Sequence, residues 1–334
     1  MNATIKATMK AVAYTRYGGP EVLSVTELPR PEPKPDEVLV KVHATSVTSG
    51  DYRARSLDLP SGFGLIGRLV FGLSGPRRKV LGAQFAGIVE AVGANVTRFK
   101  QGDRVFAYTG ANFGGYAEYA VVRQDAAIAL APDGMDLDMA AVLSFGGATA
   151  LNFLRDKAGI TSGDHVLVIG GAGIVGSAAV QIAKAFGAHV SATASSAKLD
   201  MVRDLGADVV MDYAGNDPAG IRDAYDIILD TSGTATYARY GQALKPGGRL
   251  MLVSSNLWQM LGSLIVRKSG GRKASGGYAP ERAEELRFLA ELAQSGKFRP
   301  FINRRFPLEE AADAHRYFET PERKGNVVMT TAAA

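Results

Sequence analysis

The stretch VLVIGGAGIVGSAAVQIA, residues 166–183, decides the fold of this chain. Val166-Leu167-Val168-Ile169 is a short run of β-branched and apolar residues, which predicts a buried strand. After the glycines, apolar residues recur at helical spacing before a stop at Gly187; they are Val175, Ala179, Ile182 and Phe186. The stretch is uncharged and as long as a membrane span, yet its glycines favour a strand, a tight turn and a helix.

Between this strand and helix, Gly171-Ala172-Gly173-Ile174-Val175-Gly176 matches the pattern G-x-G-x-x-G. The pattern alone is weak, but a strand before it and a helix after it are typical of a dinucleotide-binding loop. Gly171 permits the tight turn, Gly173 lets the backbone approach a pyrophosphate, and Gly176 lets helix and strand pack closely. The backbone N–H groups and the helix dipole then hold the anion. Glycines that serve packing alone are the alternative.

The end of the next strand indicates which dinucleotide binds. NAD sites usually place Asp or Glu about 20 residues after the glycines, where the carboxylate accepts from the ribose 2′-hydroxyl. This chain reads Thr193-Ala194-Ser195-Ser196-Ala197-Lys198 there, without an acid. Hydroxyls and a lysine favour a 2′-phosphate, so NADP(H) is the predicted cofactor, with Thr193, Ser195, Ser196 and Lys198 as candidate ligands. A serine that only caps the helix is the alternative interpretation.

Strands and helices alternate through the second half of the chain. Predicted strands are Val190–Thr193, Val209–Met211, Asp226–Leu229 and Arg249–Val253, and a helix is predicted from about Ala197 to Leu205. This alternation predicts a doubly wound parallel sheet with right-handed crossovers. Helices over Pro280–Ser295 and Leu308–Phe318 and a last strand, Val327–Met329, follow.

The first 125 residues have a different rhythm, with short strands between Gly-Asp and Gly-Gly turns. Predicted strands lie in Val38–Val42, Gly87–Gly93, Gly102–Ala107 and Tyr116–Val122. Their spacing predicts a compact barrel-like β domain. The fold class is therefore α/β, with a β-rich domain beside a doubly wound parallel sheet, and 334 residues suffice for both.

Composition excludes several classes of site. The chain has no cysteine, so disulfides, iron–sulfur clusters, thiolate zinc sites and cysteine nucleophiles are impossible. Its four histidines have no metal-ligand spacing and are interpreted as structural. The net charge of +5 suits an anionic small ligand as well as nucleic acid. The first ten residues lack the apolar core of a signal peptide, which predicts a cytoplasmic protein without a membrane partner.

Several segments resemble the medium-chain dehydrogenase/reductase superfamily over essentially the whole chain from Met9. Besides the glycine loop they are Met9–Val12, Leu81–Gly93, Gly102–Phe106, Gly114–Tyr119 and Gly325–Thr330. The resemblance implies a GroES-like catalytic domain of residues 1–128 and 266–334 around a Rossmann dinucleotide-binding domain of residues 129–265. It also implies a homodimer, to which the apolar segment from Leu250 to Leu264 would contribute an edge strand.

The resemblance narrows to the zinc-free branch of quinone oxidoreductases, zeta-crystallins and alkenal or enoyl reductases. Where the zinc-dependent branch keeps its ligands, this chain has Thr48-Ser49-Gly50-Asp51, Ala83-Gln84 and Phe145. No zinc is therefore expected. Many relatives in the zinc-free branch have Asn near the position of Thr48, so this chain departs from them on the substrate side.

The resemblance also implies the remaining site residues. Tyr52, in the loop that faces the nicotinamide, is the candidate hydrogen-bond donor to a substrate oxygen, and Thr48 is the second. A packed surface tyrosine and a space-filling threonine are the alternatives, and Asp51 is expected to organise the loop. Candidate cofactor contacts on other elements are Thr149, Tyr213, Ser232, Ser254 and Asn326, the last where relatives often have a basic residue.

These features together predict a zinc-independent NADPH-dependent oxidoreductase that transfers hydride to a conjugated acceptor, a quinone, enal or enone. The charge on such an acceptor is delocalised, so hydrogen bonds can replace a Lewis acid. A zinc-free NAD(P)-dependent alcohol dehydrogenase is one alternative. A non-catalytic NADPH-binding regulatory or RNA-associated protein is another.

Two surface features remain unassigned by the sequence. The basic cluster Arg267–Lys273 could bind nucleic acid or acidic lipid, but it has no interleaved aromatic residues, which favours a solvated loop. Two apolar stretches, one from Phe63 to Phe71 and one around Trp258 and Met260, are interpreted as a substrate pocket or entrance lid, with core or dimer contact as the alternative.

Overall fold

The computed structural model describes residues 7–215, 217–255, 259 and 271–331 of the chain. Numbered in chain order, the strands of this part are β1 (Thr8–Ala13), β2 (Ser24–Pro29), β3 (Glu37–Val47), β4 (Gln84–Val92), β5 (Arg104–Tyr108), β6 (Tyr119–Arg123), β7 (Ile128–Leu130), β8 (His165–Ile169), β9 (His189–Ala194), β10 (Val209–Asp212), β11 (Tyr225–Asp230), β12 (Leu244–Leu252), β13 (Lys273–Gly276), β14 (Ile302–Pro307) and β15 (Asn326–Thr330). The helices are α1 (Ser49–Ser56), α2 (Gly64–Phe71), α3 (Leu137–Ala140), α4 (Ser144–Leu151), α5 (Ile174–Ala185), α6 (Leu199–Asp204), α7 (Tyr237–Tyr240), α8 (Ala283–Gln294) and α9 (Ala311–Phe318).

The second half of the chain forms a six-stranded parallel sheet in the order β10-β9-β8-β11-β12-β13. The uncharged stretch becomes β8, a turn and α5, so the predicted strand–turn–helix is confirmed. The strand order reverses between β8 and β11, whose carboxyl ends are Ile169 and Asp230. Ligands of doubly wound sheets bind at such a switch point, so the sheet places its crevice beside the glycine loop.

The first half and the two C-terminal strands form a second, mixed sheet in the order β14-β15-β3-β4-β5-β7, with β6 also paired to β3. β15 lies antiparallel to β3, with Val327 opposite Val47, so the end of the chain returns to the N-terminal sheet. Alternate β3 residues Val38, Val40 and Val42 are buried with Phe85 of β4 in one apolar cluster. The GroES-like sheet domain expected from the resemblance is therefore present.

The two sheets do not divide at the residues expected from the sequence. β13 extends the parallel sheet beyond residue 265, and β7 extends the mixed sheet beyond residue 128. Lys273-Ala274-Ser275-Gly276 was not predicted as a strand because none of its residues favours a strand. It forms one because β12 offers unpaired backbone groups, and β13, rather than β12, is then the edge of this sheet.

A long helical stretch, Leu137–Lys157, crosses between the two sheets. It is long and apolar enough to span a membrane, but 83% of the apolar window is buried inside the protein. A Cβ on Gly146 would lie 2.8 Å from the carbonyl oxygen of Ile174, so this glycine lets α4 pack closely against α5. Burial on this scale is that of a core helix.

A buried polar pair joins α9 to the N-terminal part of the chain. The Tyr116 hydroxyl and His315 Nε2 are 3.0 Å apart, and both side chains are fully buried. Burial, with a smaller effect of the Arg55 guanidinium, lowers the pKa of His315 to about 3. The imidazole is therefore neutral at physiological pH, as the structural interpretation of the histidines requires.

We expect acid to destabilise the protein through His315. Its folded-state pKa lies below the ordinary value near 6.5, so its contribution is complete above pH 6.5 and is lost as pH falls towards 3. The free energy of urea unfolding of the wild type minus that of His315→Gln should show this loss between pH 7 and 4, at up to about 1.4 kcal/mol per pH unit. His315→Gln keeps an amide for Tyr116 but has no titrating group at this position. Parallel profiles for the two proteins would contradict this origin.

Candidate active site

A cleft of about 910 Å³ lies between the two sheets and joins the glycine loop to α1 and β5. Its nucleotide side is formed by Thr149, Gly173, Ile174, Val175, Thr231, Val253 and Ser254. Its opposite wall includes Thr48, Tyr52, Ala83, Tyr108, Phe113, Phe145 and Phe318, and Arg323 also lines the cleft. The cleft thus joins the predicted cofactor loop and the predicted substrate loop.

The glycine loop has the openings that a pyrophosphate needs. Gly173 is the N-cap residue of α5, and no side chain of the described residues caps that helix. A Cβ on Gly173 would meet only the Gly170 carbonyl, at 3.5 Å, whereas one on Gly176 would lie 2.1 Å from the same oxygen. Free N–H groups below open space, with close packing behind them, fit the phosphates of a dinucleotide.

Thr193 and Ala172 support this loop from behind. The Thr193 hydroxyl accepts from the Gly170 N–H at 3.2 Å, and its carbonyl accepts from the Gly171 N–H at 2.8 Å. The Ala172 carbonyl accepts from the N–H of Gly325 at 2.9 Å, which attaches the C-terminal segment to the loop. Thr193, predicted as a cofactor ligand, is instead a buried positioning residue.

Three neighbouring cations, Lys198, Arg323 and Lys324, lie at the segment that follows β9. The Lys198 ammonium donates to the Pro321 and Arg323 carbonyls at 2.7 and 2.8 Å, and the Lys324 ammonium donates to the Ala197 carbonyl at 3.1 Å. Burial, then Arg323 and Lys324, lower the pKa of Lys198. Sequence reasoning missed Arg323 and Lys324 because they lie about 125 residues from Lys198 and only the fold brings them together.

An acidic side chain, that of Asp212, also lies beside the segment that follows β9. The Ser196 hydroxyl donates to the Asp212 carboxylate at 2.5 Å, a contact that holds the pKa of Asp212 below its ordinary value. Asp212 ends β10 rather than β9, so it does not occupy the position of the missing ribose acid. The predicted phosphate ligand Ser196 is nevertheless beside a negative charge.

The fold places only some of the other predicted cofactor contacts in the cleft. Ser254 and Thr149 line the cleft, where the Thr149 hydroxyl donates to the Phe145 carbonyl at 2.7 Å. Tyr213 is exposed at the end of β10, and the Ser232 hydroxyl donates to Asp230 at 2.7 Å within its own loop. The prediction for Asn326 needs correction, because its side chain is buried at the start of β15 and donates to the Phe301 carbonyl at 3.1 Å.

Thr48 and Asp51 form a closed hydrogen-bonded unit at the start of α1. Thr48 accepts from the Asp51 N–H at 3.2 Å and donates its hydroxyl hydrogen to Asp51 Oδ2 at 2.6 Å. The other carboxylate oxygen accepts from the N–H groups of Gly82 and Ala83 at 2.8 and 3.2 Å. Thr48 therefore has no hydrogen left for a substrate, which corrects its predicted role as a donor.

The Asp51 carboxyl group is fully buried, and burial raises its pKa to about 6 although four hydrogen bonds oppose the shift. Those bonds come from the Thr48, Gly82 and Ala83 N–H groups and the Thr48 hydroxyl. Asp51 thus ties α1 to the segment before β4. Its position agrees with the interpretation that it organises the loop.

The ring of Tyr52 lines the cleft, but its hydroxyl is already engaged. It donates to Asp58 Oδ2 at 2.5 Å, and this hydrogen bond is the main cause of the raised pKa of Tyr52. The ring centroid lies 6.5 Å from that of Phe318. Tyr52 is therefore placed where the sequence predicted, with its donor directed at a carboxylate of its own loop.

At the positions that hold zinc ligands in the zinc-dependent branch, this chain has apolar side chains and a hydrogen-bonded glutamine. Ala83 and Phe145 present apolar groups to the cleft. Gln84 donates to the Ser46 hydroxyl at 2.6 Å and accepts from Ser144 and the Phe145 N–H, each at 2.8 Å. Among the described residues no group of three or more His, Asp or Glu side chains is arranged to bind a metal ion.

Tyr108, at the end of β5, is a candidate site residue that sequence reasoning missed. Its side chain is 9% exposed and lines the cleft, with the Phe145 ring edge-on at 6.0 Å. The hydroxyl makes no hydrogen bond to any described residue. Burial, with smaller effects of Glu281 and Tyr278, raises the pKa of Tyr108. A buried donor without a protein partner that faces a cleft is available to a ligand oxygen.

Comparison with protein families matches both parts of the chain. The alcohol dehydrogenase GroES-like domain family matches residues 34–133, and the zinc-binding dehydrogenase family matches residues 205–329. Among solved structures, the quinone oxidoreductase from Coxiella burnetii superposes with a TM-score of 0.85 at 32% identity, covering 98% of this chain and all of that one. An NAD-dependent alcohol dehydrogenase superposes with a TM-score of 0.83 at 30% identity, covering 97% of this chain and 100% of that one.

Three proteins of similar sequence have oxidoreductase names. A 2-methylene-furan-3-one reductase from Solanum lycopersicum is 32% identical, covering 98% of this chain and 80% of the relative. The chloroplastic NADPH-dependent alkenal/one oxidoreductase of Arabidopsis thaliana is 32% identical, with 98% and 81% covered. A quinone oxidoreductase from Pseudomonas aeruginosa is 33% identical, with 96% and 99% covered. The similarity spans both sheets and the cleft between them.

Proposed function

Because the chain belongs to the medium-chain dehydrogenase/reductase superfamily, in its quinone oxidoreductase branch, we propose that it reduces conjugated acceptors with NADPH and without zinc. The acceptor is a quinone, an enal or an enone. The observation that carries the proposal is Tyr108, whose unpartnered hydroxyl faces the same cleft as the glycine loop. The names of the alkenal/one and quinone oxidoreductase relatives support this substrate class.

Different residues of the chain are assigned to the cofactor and to the substrate. The N–H groups at Gly173 and the start of α5 would hold the pyrophosphate, and Lys198, Arg323 and Lys324 would favour a 2′-phosphate. When bound, NADPH supplies the hydride that adds to the β carbon of an enone or to a quinone. The Tyr108 hydroxyl donates a hydrogen bond to the substrate oxygen where negative charge develops. Its raised pKa keeps it protonated for this purpose.

Product formation then needs one proton. The α carbon of the enolate, or the oxygen of the hydroquinone anion, takes it from water, so hydride and proton together complete a two-electron reduction. The apolar side chains of Phe113, Phe145 and Phe318 line the opposite wall of the cleft and suit a flat, conjugated acceptor. No metal ligand is required at any of these points.

Acceptor screening tests the proposal. NADPH consumption should be about 100-fold faster per mole of quinone or enone than of a saturated ketone, because a saturated alkoxide lacks both charge delocalisation and a Lewis acid. Activity should survive exhaustive chelation. Equal rates with saturated ketones, or stoichiometric zinc whose removal abolishes activity, would overturn the proposal.

A zinc-free alcohol dehydrogenase is the second candidate. Asp212 favours it, because a carboxylate 2.5 Å from Ser196 suits NAD(H) better than a 2′-phosphate, and the NAD-dependent alcohol dehydrogenase superposes closely. Alcohol oxidation with NAD⁺ in the same screen would favour this candidate. The cluster that suggested RNA binding lies mainly in residues 267–270, outside the described residues.

Cofactor choice can be tested at the cation cluster. Lys324→Ala removes one of three positive charges at this corner and should raise the Kd for NADPH about tenfold, leaving the Kd for NADH unchanged. Fluorescence titration with both cofactors measures this. Lys245→Ala is the matched control, because Lys245 pairs with Asp226 at the amino end of the sheet. An equal loss for both cofactors would mean that Lys324 only shapes the cleft.

Assembly and location remain proposals. We expect a homodimer on the family resemblance, testable by light scattering at micromolar concentration. Most of the segment from Leu250 to Leu264 lies outside the described residues, as do Trp258 and Met260. A cytoplasmic location is also a proposal, testable by fractionation.

A further inference from the structure

Helix α2 presents apolar side chains outward, where a surface helix ordinarily presents polar ones. Its inner side is formed by Gly67 and Phe71: a Cβ on Gly67 would lie 1.9 Å from Leu59 Cδ1, and the Phe71 ring lies 6.4 Å from that of Phe113. Its outer side and the turn after it carry five apolar residues, here called the apolar face. Their exposed fractions are Leu65 71%, Ile66 48%, Leu69 50%, Val70 52% and Leu73 59%.

Positive charges without an ion-pair partner among the described residues lie in α2 and in the segment that follows it. Residues 59–89 contain four cations and no Asp or Glu; the cations, here called the basic rim, are Arg68, Arg77, Arg78 and Lys79. All four are exposed, and none forms an ion pair within the described part of the chain. Arg68 donates to the Leu73 carbonyl at 3.4 Å and Arg78 to Asn112 Oδ1 at 3.2 Å. The charges therefore remain available to an external anion.

We propose that the apolar face and the basic rim dock onto the surface of an anionic lipid bilayer. Apolar side chains of such a helix enter the boundary between headgroups and acyl chains, and each nearby Lys or Arg is attracted by the surface potential. A second copy of the chain is a poorer occupant, because a two-fold contact through this face would bring two basic rims together. The proposal replaces the sequence-based expectation that no membrane partner exists.

The inner side of α2 borders the cleft. Leu59 and Pro60, which precede α2, and Phe71 on its inner side line the cleft. Docking would therefore place this end of the cleft at the lipid surface. In a part of the inference that rests on the proposed function, a quinone with a long alkyl tail would reach the cleft without leaving the bilayer, while NADPH would enter from water.

Vesicle co-sedimentation of the full-length protein tests the docking without any assay of activity. The protein should bind phosphatidylcholine vesicles that contain phosphatidylglycerol, bind weakly to phosphatidylcholine alone, and be released by added salt. Leu65→Ser/Leu69→Ser and Arg77→Gln/Arg78→Gln should each weaken binding about tenfold. Val25→Ser/Leu130→Ser, at exposed apolar positions on β2 and β7, is the matched control and should bind like the wild type. Thermal melting of each variant confirms folding.

Other outcomes would overturn the inference. Absence of binding to anionic vesicles, or equal binding by all variants, would contradict it. A dimer that dissociates in Leu65→Ser/Leu69→Ser, without vesicle binding, would show that a second copy covers the apolar face. Turnover of a short-chain, water-soluble quinone should be unchanged in every variant, so a failure of the proposed function would appear there and not in sedimentation.

Discussion

Tyr108→Phe is expected to lower kcat/KM for an enone or a quinone about 30-fold and to leave the Kd for NADPH unchanged. Loss of one donor to a developing oxyanion costs about 2.7–4 kcal/mol in well-organised sites. The expected loss is smaller, about 2 kcal/mol, because the charge on a conjugated acceptor is shared among several atoms. Steady-state kinetics with both acceptor classes and a fluorescence titration with NADPH measure the two quantities.

Tyr52→Phe is the matched control for this prediction. The Tyr52 hydroxyl donates to Asp58, so its removal should change kcat/KM less than about threefold. The rate of the wild type should also show no loss up to about pH 9, because burial keeps Tyr108 protonated. A larger loss in Tyr52→Phe than in Tyr108→Phe would instead identify Tyr52 as the donor. Weakened NADPH binding in Tyr108→Phe would mean that this residue shapes the cleft.

The glycine loop was predictable because its function depends on neighbours in sequence. Gly171, Gly173 and Gly176 act through backbone approach and packing between a strand and the helix that directly follows it. A preceding buried run and a following helical period were enough to predict that unit. The alternation of strands and helices extended the prediction to the parallel sheet, except at β13, whose residues carry no strand signal of their own.

The substrate side was less predictable, because whether a hydroxyl can bind substrate depends on whether a protein group already accepts its hydrogen. Thr48-Ser49-Gly50-Asp51 has the spacing of a helix-capping box, a signal that would have assigned the Thr48 hydroxyl to Asp51. The Tyr52–Asp58 contact depends on the course of the loop after α1, which no sequence pattern specifies. Tyr108 was missed because its hydroxyl can bind a ligand only if no described residue accepts its hydrogen, and the sequence does not show this.

The cation cluster was also only partly predictable, because it depends on contacts between residues far apart in the sequence. Lys198 was predicted from the segment after β9, where a missing acid pointed to a 2′-phosphate. Lys324 reaches the Ala197 carbonyl only because the C-terminal segment returns to the glycine loop through Gly325. The Asp212 carboxylate arrives from the neighbouring strand in the same way. Long-range pairing therefore decides the net charge of the cofactor corner.

Asp51→Ala is expected to destabilise the fold by about 3–5 kcal/mol. The substitution leaves three buried N–H groups, those of Thr48, Gly82 and Ala83, without their acceptor, and each buried unsatisfied group costs about 1–3 kcal/mol. Urea unfolding at pH 7 measures the loss. Asp51→Asn should lose less, because its carbonyl oxygen still accepts from Gly82 and Ala83 while its NH₂ group opposes the Thr48 donors. Equal unfolding midpoints for Asp51→Ala and the wild type would contradict the prediction.

The pH dependence identifies the carboxylate itself. The folded-state pKa of Asp51, about 6, lies above its ordinary value, so the native state binds the extra proton and its contribution to stability falls as pH rises from about 4 to 6. This slope opposes that of His315, whose contribution is lost as pH falls through the same window. Subtracting the Asp51→Asn profile from that of the wild type removes the His315 contribution, which both proteins share. The difference should therefore favour the wild type most at pH 4 and shrink towards pH 7; a constant difference would mean that Asp51 is already ionised throughout the range.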